Sequence, residues 1–213
     1  MSFLAWQITQ IPAHENDDWL YHHVNQLPDF FQETILQKKI WQDRAASTLG
    51  YLNALQLFAV QNLRFNQTHF TKNEYKRPML CTDEDFNISH SNPYVVSAIQ
   101  SSGNVGIDIE LIKPIEVEPF KRIFHPKEWI YLMEHQGKPG VFFELWTRKE
   151  ALIKAIGKGM YLPLQDINCL PASVFFMDTT WYIHPISCGD HLKAHIATNN
   201  SSVIPVRAKH QLN

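Results

Sequence analysis

Two carboxylates stand two residues apart in the segment VGIDIE, which spans residues 105–110. The segment alternates apolar and polar residues, a pattern typical of a β-strand with one wet face. Successive side chains of a strand point to opposite sides, so Asp108 and Glu110 share one face. Mg²⁺ is usually held by one or two carboxylates together with phosphate oxygens and water. The pair fits a magnesium site, and a solvated edge strand explains the same pattern.

The segment FFELWTRKEALIKAIGKG, residues 142–159, offers a second pair of charged groups. Its apolar residues recur at helical spacing and predict a core-facing helix over 141–156, with Gly157 as its C-terminal cap. Glu150 and Lys154 lie one turn apart on another face. Such a pair can be an ordinary surface interaction that contributes about 0.2–0.5 kcal/mol. It can also be a carboxylate and an ammonium that act together on a bound phosphate.

Four cationic side chains are candidates for phosphate binding. His90 lies in NISHSNP, close to the end of a predicted strand, and Arg44 lies on a long helical stretch. Lys76 and Arg77 precede a proline in YKRP. Imidazole and guanidinium groups donate hydrogen bonds that suit phosphate oxygens. Each residue is also compatible with an ordinary solvated surface, and His90 with a structural role.

The periodicities predict an α+β chain, with a long helical region, a set of short strands, two helices and a second set of strands. Gly50 marks either a break in the first helical region or a close packing contact. The segment SSGN is predicted to form a hairpin turn, and the last eight residues a fraying tail. The predicted helical regions are 33–60, 126–134 and 141–156, and the predicted strands are 5–8, 86–91, 93–100, 104–112, 173–177, 180–186 and 191–198.

The composition excludes several classes of protein. The 213 residues include 45% hydrophobic and 19% charged residues, as in a globular chain, and the net charge of -2 favours neither a nucleic-acid nor a membrane-surface partner. Three widely spaced cysteines predict neither zinc binding nor disulfides. His191 and His195 stand about 13–14 Å apart in a strand, so shared metal binding is not expected. The absence of a signal peptide or an apolar span predicts a cytoplasmic protein.

Three segments, in this order, resemble the signature motifs of the Sfp-type 4′-phosphopantetheinyl transferases: NISHS at 87–91, GIDIE at 106–110 and WTRKEALIKAIGKG at 146–159. The likeness extends from about Gln42 to Pro163. It implies an enzyme that moves phosphopantetheine from coenzyme A to a serine of an apo acyl or peptidyl carrier protein and releases 3′,5′-ADP. Such carriers serve nonribosomal peptide, polyketide and fatty-acid synthesis. The implied metal is Mg²⁺, with Mn²⁺ as the other ion considered.

The resemblance also implies roles for single residues. Asp108, Glu110 and Glu150 would hold the metal against the pyrophosphate of coenzyme A. Glu150 is the candidate base for the carrier serine, either directly or through water, and Lys154 would contact phosphate and offset charge on the leaving group. His90 would grip the 3′-phosphate.

Three further residues are expected to bind coenzyme A. They lie in two segments, the first long helix and YKRP, and both segments depart from the family pattern. Arg44 would contact phosphate from the helix, where Ala46 replaces a second arginine found in some members. Arg77 replaces a lysine as a phosphate contact. Lys76 stands where the family usually has glycine.

The length resembles the pseudo-dimeric branch of the family. Two similar α+β halves, residues 1–102 and 103–213, would form a monomer with the active site in the cleft between them. Ile115, Phe120 and Lys121 would contact the carrier protein, or else pack on the core. Two rival functions remain at this point: a catalytically degenerate protein that binds coenzyme A, and a magnesium-dependent pyrophosphate or phosphodiester hydrolase.

Overall fold

The computed structural model describes residues 2–63 and 66–208, except the side chains of Gln67 and Met160. The α-helices are α1 (Asp17–Val24), α2 (Asp29–Leu36), α3 (Trp41–Val60), α4 (Pro126–Glu134) and α5 (Pro139–Ile156). The strands are β1 (Leu4–Gln10), β2 (Phe70–Lys72), β3 (Pro78–Leu80), β4 (Asp85–Ser91), β5 (Tyr94–Gln100), β6 (Val105–Leu111), β7 (Ser173–Phe176), β8 (Thr179–Pro185), β9 (Leu192–Thr198) and β10 (Pro205–Arg207).

The strands form two four-stranded sheets and a short ribbon. The first sheet has the order β10-β1-β5-β4, the second has the order β6-β9-β8-β7, and β2 pairs with β3. Only the β1–β10 pair in these described sheets is parallel. The long helix α3 packs on the first sheet and α5 packs on the second. The predicted α+β class is confirmed, with one long helix on each sheet.

Strand β10 corrects the prediction of a fraying tail. Residues 205–207 pair with residues 4–6 of β1, so the end of the described chain returns to the first sheet. The remainder of the predicted tail, residues 209–213, lies outside the described residues. A three-residue strand that follows a turn carries too little alternation to be predicted from sequence.

The prediction of a hairpin at residues 101–104 is wrong. Strand β5 is already paired with β1 on one edge and with β4 on the other, so β6 cannot join it. Strand β6 instead pairs with β9 in the second sheet. The segment therefore passes the chain from one sheet to the other. The hairpin forms one connection earlier, between β4 and β5, where residues 92–93 make the turn.

The predicted helical stretch 33–60 contains the end of α2 and all of α3. Gly50 lies inside α3, and a Cβ atom at this position would overlap the side chain of Ile88 on β4. Gly50 is therefore a close packing contact between α3 and β4 and not a break in the helix. Helix α4 has the predicted bounds, and α5 begins two residues earlier than expected. Gly157 ends α5 in a left-handed conformation with φ 78°, as predicted.

Gly106 lets α5 lie directly against β6. A Cβ atom at residue 106 would overlap the carbonyl oxygen of Ala151 and the backbone nitrogen of Ala155. Backbone atoms cannot rotate away as a flexible side chain can. The absence of a side chain at this position therefore sets the distance between the strand with Asp108 and the helix with Glu150.

Gly106→Ala is therefore expected to lower the free energy of unfolding by about 3 kcal/mol, because overpacked sites cost roughly that much when the backbone must shift. Urea unfolding measures the change. The control is Gly140→Ala in the first turn of α5, where an added Cβ would meet no atom within 4 Å. Equal losses in the two variants would contradict the close approach of α5 to β6.

Candidate active site

Asp108 lies where β4, β6 and α5 meet. The residue is 4% exposed, because α5 covers this face of β6. Its Oδ1 accepts hydrogen bonds from Lys154 Nζ at 2.6 Å and from Ser89 Oγ at 2.7 Å. Lys154 Nζ also donates to Ser89 Oγ at 2.8 Å and to the carbonyl oxygen of Ile107 at 3.3 Å. The ammonium and the carboxylate thus form one network with the serine of β4.

Glu110 and Glu150 face the same place. Burial raises the pKa of Glu150, the negative charges of Asp108 and Glu110 raise it further, and Lys154 opposes them. Burial also raises the pKa of Glu110, which a hydrogen bond from Ser91 Oγ at 2.8 Å partly offsets. Three carboxylates act on one another here, and Lys154 opposes them at both glutamates, with Lys113 as a second cation acting on Glu110. Their mutual repulsion favours the binding of a cation.

The carboxylates match a divalent cation in ligand type and charge. Hard cations such as Mg²⁺ take oxygen ligands, and Asp108 Oδ2 is buried without a hydrogen-bond partner in the described structure. The present side-chain positions do not form a closed ligand set, since no three His, Cys, Asp or Glu residues among those described are grouped closely enough to hold a metal ion. Lys154 occupies the other oxygen of Asp108.

His90 on β4 lies close to the N-terminal end of α3, and Arg44 is in the first turn of that helix. His90 is half-exposed, its Nε2 is 4.0 Å from Asp43 Oδ1, and it lines a cavity of about 210 Å³ with Ser47. Burial lowers the pKa of His90, while Asp43 raises it and the charges of Lys154 and Lys38 lower it. Arg44 Nε is buried and has no hydrogen-bond partner among the described residues.

Lys38 is a cation near His90 that the sequence reasoning missed. It lies between α2 and α3 and acts electrostatically on the imidazole of His90. The sequence shows the pair Lys38-Lys39, but within the helical stretch predicted over 33–60, whereas the structure places the pair between α2 and α3. A pair of surface lysines is common, however, and only the fold brings this one toward the end of β4.

The guanidinium of Arg77 is bonded to protein groups on several elements. Its guanidinium forms two bonds with the carboxylate of Asp85, at 3.0 and 2.6 Å. The other N–H groups donate to the carbonyl oxygens of Lys154, Val105 and Pro78. All five N–H groups therefore have protein acceptors. Arg77 thus joins the two sheets, and the phosphate contact expected of it from the sequence stays a prediction.

Lys76 has a backbone conformation that favours glycine, the residue that the sequence resemblance leads one to expect here. Its φ is 65°, in the left-handed region that glycine adopts without a steric penalty. The surrounding turn is held by Asn73, whose Oδ1 accepts from the backbone nitrogens of Tyr75 and Arg77. Asn73 Nδ2 also donates to the carbonyl oxygen of Gly157 at 2.7 Å. The exposed Lys76 side chain stays a predicted phosphate contact.

Lys149, which precedes Glu150 in the third motif, is a structural residue. The residue is 1% exposed, and its Nζ lies 3.0 Å from Glu128 Oε2. It also donates to the carbonyl oxygens of Leu164 and Ile167 at 2.9 and 2.6 Å. The sequence did not predict this buried pair, because a lysine beside the apolar face of a helix is normally solvated.

The segment proposed to meet a carrier protein is partly packed on the core. The ring of Phe120 lies 5.0 Å from that of Phe142, and Ile115 packs on the same cluster. Lys121 is exposed, with its Nζ 5.5 Å from the ring centre of Trp129. The packing alternative therefore accounts for Phe120 and Ile115, and contact with a carrier protein stays a prediction.

His191 and His195 have separate partners. His191 Nε2 lies 2.8 Å from the hydroxyl of Tyr94, and His195 Nδ1 lies 2.8 Å from Thr147 Oγ1. His195 is 3% exposed, and burial lowers its pKa to about 3, with the charges of Arg148 and Lys193 acting in the same direction. His195 is therefore neutral in the folded protein at physiological pH.

This buried histidine predicts a loss of stability in acid. Between the folded pKa of about 3 and the unfolded pKa of about 6.5, the unfolded chain binds one more proton at His195. Stability therefore falls as pH drops below about 6.5, by roughly 2 kcal/mol at pH 5. Between pH 7.5 and pH 5, the free energy of unfolding in urea should therefore fall by about 2 kcal/mol less in His195→Gln than in wild type. Glutamine keeps a polar partner for Thr147. Identical acid losses would contradict a neutral buried His195.

Comparison with known proteins shows what part of this chain is similar to. The model of the 4′-phosphopantetheinyl transferase superfamily matches residues 104–198. The 4′-phosphopantetheinyl transferase gsp of Aneurinibacillus migulanus is 46% identical over 128 residues, which cover 59% of this chain and 54% of the relative. The 4′-phosphopantetheinyl transferase Sfp of Bacillus subtilis (strain 168) is 40% identical over 103 residues, 46% of each chain. The matches thus span about half the length of these two relatives.

A third relative matches over a longer part of the chain. The human L-aminoadipate-semialdehyde dehydrogenase-phosphopantetheinyl transferase is 28% identical over 199 residues, which cover 79% of this chain and 64% of the relative. In the described residues, no helix combines the length and apolarity needed to cross a membrane. The family match covers β6 and α5, which carry Asp108, Glu110, Glu150 and Lys154. Over this segment, which includes these four residues, the chain is similar to the 4′-phosphopantetheinyl transferase superfamily.

Proposed function

We propose that this protein transfers 4′-phosphopantetheine from coenzyme A to a serine of an apo acyl or peptidyl carrier protein and releases 3′,5′-ADP. The observation that carries the proposal is the convergence of Asp108, Glu110, Glu150 and Lys154 at the place where the two sheets meet. Phosphoryl-type transfer depends mainly on positioning and on neutralising charge. The three carboxylates and the ammonium of Lys154 supply both.

Asp108, Glu110 and Glu150 would hold a divalent cation, Mg²⁺ or Mn²⁺. When bound, this ion would neutralise charge on the pyrophosphate of coenzyme A. The support is the chemistry of the donor set and the unpartnered, buried Oδ2 of Asp108. Lys154 is held at this place by Asp108 and Ser89, so its ammonium offsets charge on the departing 3′,5′-ADP.

Glu150 is the proposed base for the carrier serine. A general base works best when its pKa approaches the operating pH, and burial together with the charge of Asp108 raises the pKa of Glu150. Proton removal makes the serine oxygen nucleophilic, and its attack on the β-phosphorus releases 3′,5′-ADP.

The proposal also includes Lys121 as a carrier contact, a monomeric state, the two halves 1–102 and 103–213, and a cytoplasmic location.

Intact mass spectrometry of an apo carrier protein tests the function directly. After incubation with this protein, coenzyme A and Mg²⁺, the carrier should gain the mass of one phosphopantetheine group, and EDTA should prevent the gain. No gain on an acyl carrier and several peptidyl carriers would overturn the proposal. Bound but intact coenzyme A would then indicate an accessory binding protein, and cleavage of coenzyme A without a carrier would indicate a hydrolase.

His90 is predicted to act on the binding of coenzyme A rather than on its cleavage. His90→Ala should raise the KM for coenzyme A by about 10–100-fold, because a hydrogen bond to a charged group contributes roughly 1.5–3 kcal/mol. The kcat should change less than threefold. Dephospho-coenzyme A, which lacks the 3′-phosphate, provides the control. Wild type and His90→Ala should use it equally well, and a further loss in the variant would place His90 elsewhere.

A further inference from the structure

The edge of β6 that faces β4 is not joined to it by a backbone ladder. Side chains of β4 instead accept hydrogen bonds from the backbone N–H groups of β6, each from a residue twenty positions later. These bonds run from Val105 N to Asp85 Oδ2 (2.8 Å), from Ile107 N to Asn87 Oδ1 (3.0 Å) and from Leu111 N to Ser91 Oγ (3.0 Å). Alternate side chains of β4 therefore fix the position of β6, and with it the position of the carboxylates.

Ser91 makes two bonds whose directions are determined by chemistry. The N–H of Leu111 can only donate, so it uses a lone pair of the Ser91 hydroxyl. An ionised Glu110 can only accept, so the hydroxyl proton points to its Oε2 at 2.8 Å. The backbone amide thus orients the hydroxyl, and the hydroxyl orients the carboxylate.

We propose that Ser91 is a positioning residue that holds the Glu110 carboxylate in its metal-binding orientation, and that it acts through the amide of Leu111. This inference rests on the proposed function. Groups that hydrogen-bond to metal ligands typically change metal affinity or activity by about 10–100-fold when removed. The bond from Ser91 is the only hydrogen bond that the described structure gives to the Glu110 side chain.

Ser89 provides an internal comparison. Its hydroxyl accepts from Lys154 Nζ at 2.8 Å and donates to Asp108 Oδ1 at 2.7 Å. Asp108, however, also binds Lys154 directly at 2.6 Å, so its orientation does not depend on the serine alone. Glu110 has no such second support among the described residues. Loss of the hydroxyl should therefore disturb the orientation of the neighbouring carboxylate more at Ser91 than at Ser89.

The test measures metal affinity apart from turnover. Mn²⁺ is titrated into the whole protein with saturating coenzyme A, and free Mn²⁺ is followed by electron paramagnetic resonance. Ser91→Ala should raise the dissociation constant of Mn²⁺ by about 10–100-fold. Ser91→Thr retains the hydroxyl on a residue suited to a strand, and it should stay within threefold of wild type. Urea midpoints show whether each variant is folded.

Ser101→Ala is the matched control, since Ser101 Oγ also accepts from a backbone nitrogen, that of Phe3 at 2.9 Å. It should bind Mn²⁺ as wild type does. The inference is overturned if Ser91→Ala keeps the wild-type affinity, if Ser91→Thr loses as much as Ser91→Ala, or if wild type binds no Mn²⁺. Failure of the proposed function is a separate result: wild type would leave every carrier unmodified although its Mn²⁺ affinity still depends on Ser91.

Discussion

Replacing Asp108 by asparagine is expected to lower the rate of the proposed phosphopantetheine transfer by about 10³-fold or more. Removal of one preorganised electrostatic group in an active site commonly costs about 10²–10³-fold, and this carboxylate acts on several groups at once. Its Oδ1 positions Lys154, and its Oδ2 is the unpartnered atom available to a cation. Its charge also raises the pKa of Glu150, so the proposed base becomes weaker when that charge is lost.

Asparagine nearly preserves the shape of the side chain, so the loss of activity should not follow from unfolding. Lys154 is partly exposed, and water can solvate its ammonium when Asp108 is replaced. The urea midpoint should therefore change little, while the mass-spectrometric rate on an apo carrier collapses. Asp178→Asn, on an exposed turn with φ 55°, is the matched control, since asparagine tolerates this conformation well. Transfer by Asp108→Asn within tenfold of wild type would exclude Asp108 as a metal ligand.

The elements that carry the site were predictable because their periodicities differ. Alternation in VGIDIE put Asp108 and Glu110 on one face of a strand, and helical spacing put Glu150 and Lys154 on one face of a helix. The structure brings these two faces together through the bare backbone of Gly106. Local patterns give the direction of each side chain relative to its own element, and the sequence resemblance supplied the pairing of the two elements.

The roles that sequence analysis missed belong to charged residues with distant partners. Lys149 and Glu128 pair inside the second half, twenty-one positions apart, although each reads as a solvated side chain. The hairpin predicted at residues 101–104 failed for a related reason. The sequence pattern of two strands with a turn between them is the same whether the strands pair with each other or with other strands. Only the tertiary pairing of β5 with β1 distinguishes the two cases.

Arg77 is the second residue whose replacement should have a large effect, and the effect should be on stability. Its guanidinium spans β4, β6 and the end of α5, and its partner Asp85 is 6% exposed. Removing one member of a buried ion pair typically costs 3–5 kcal/mol, since the other charge stays buried without compensation. Arg77→Ala should therefore lower the free energy of unfolding by about 3–5 kcal/mol in urea.

Three comparison variants separate this structural role from phosphate binding. Arg77→Lys should recover little, because an ammonium lacks the planar fork that meets both Asp85 oxygens. Adding Asp85→Asn to Arg77→Ala should recover part of the loss, because it removes the uncompensated charge. Arg122→Ala, at an exposed position, should change stability by less than about 0.5 kcal/mol. If Arg77 contacts phosphate instead, Arg77→Ala would leave unfolding unchanged and raise the KM for coenzyme A.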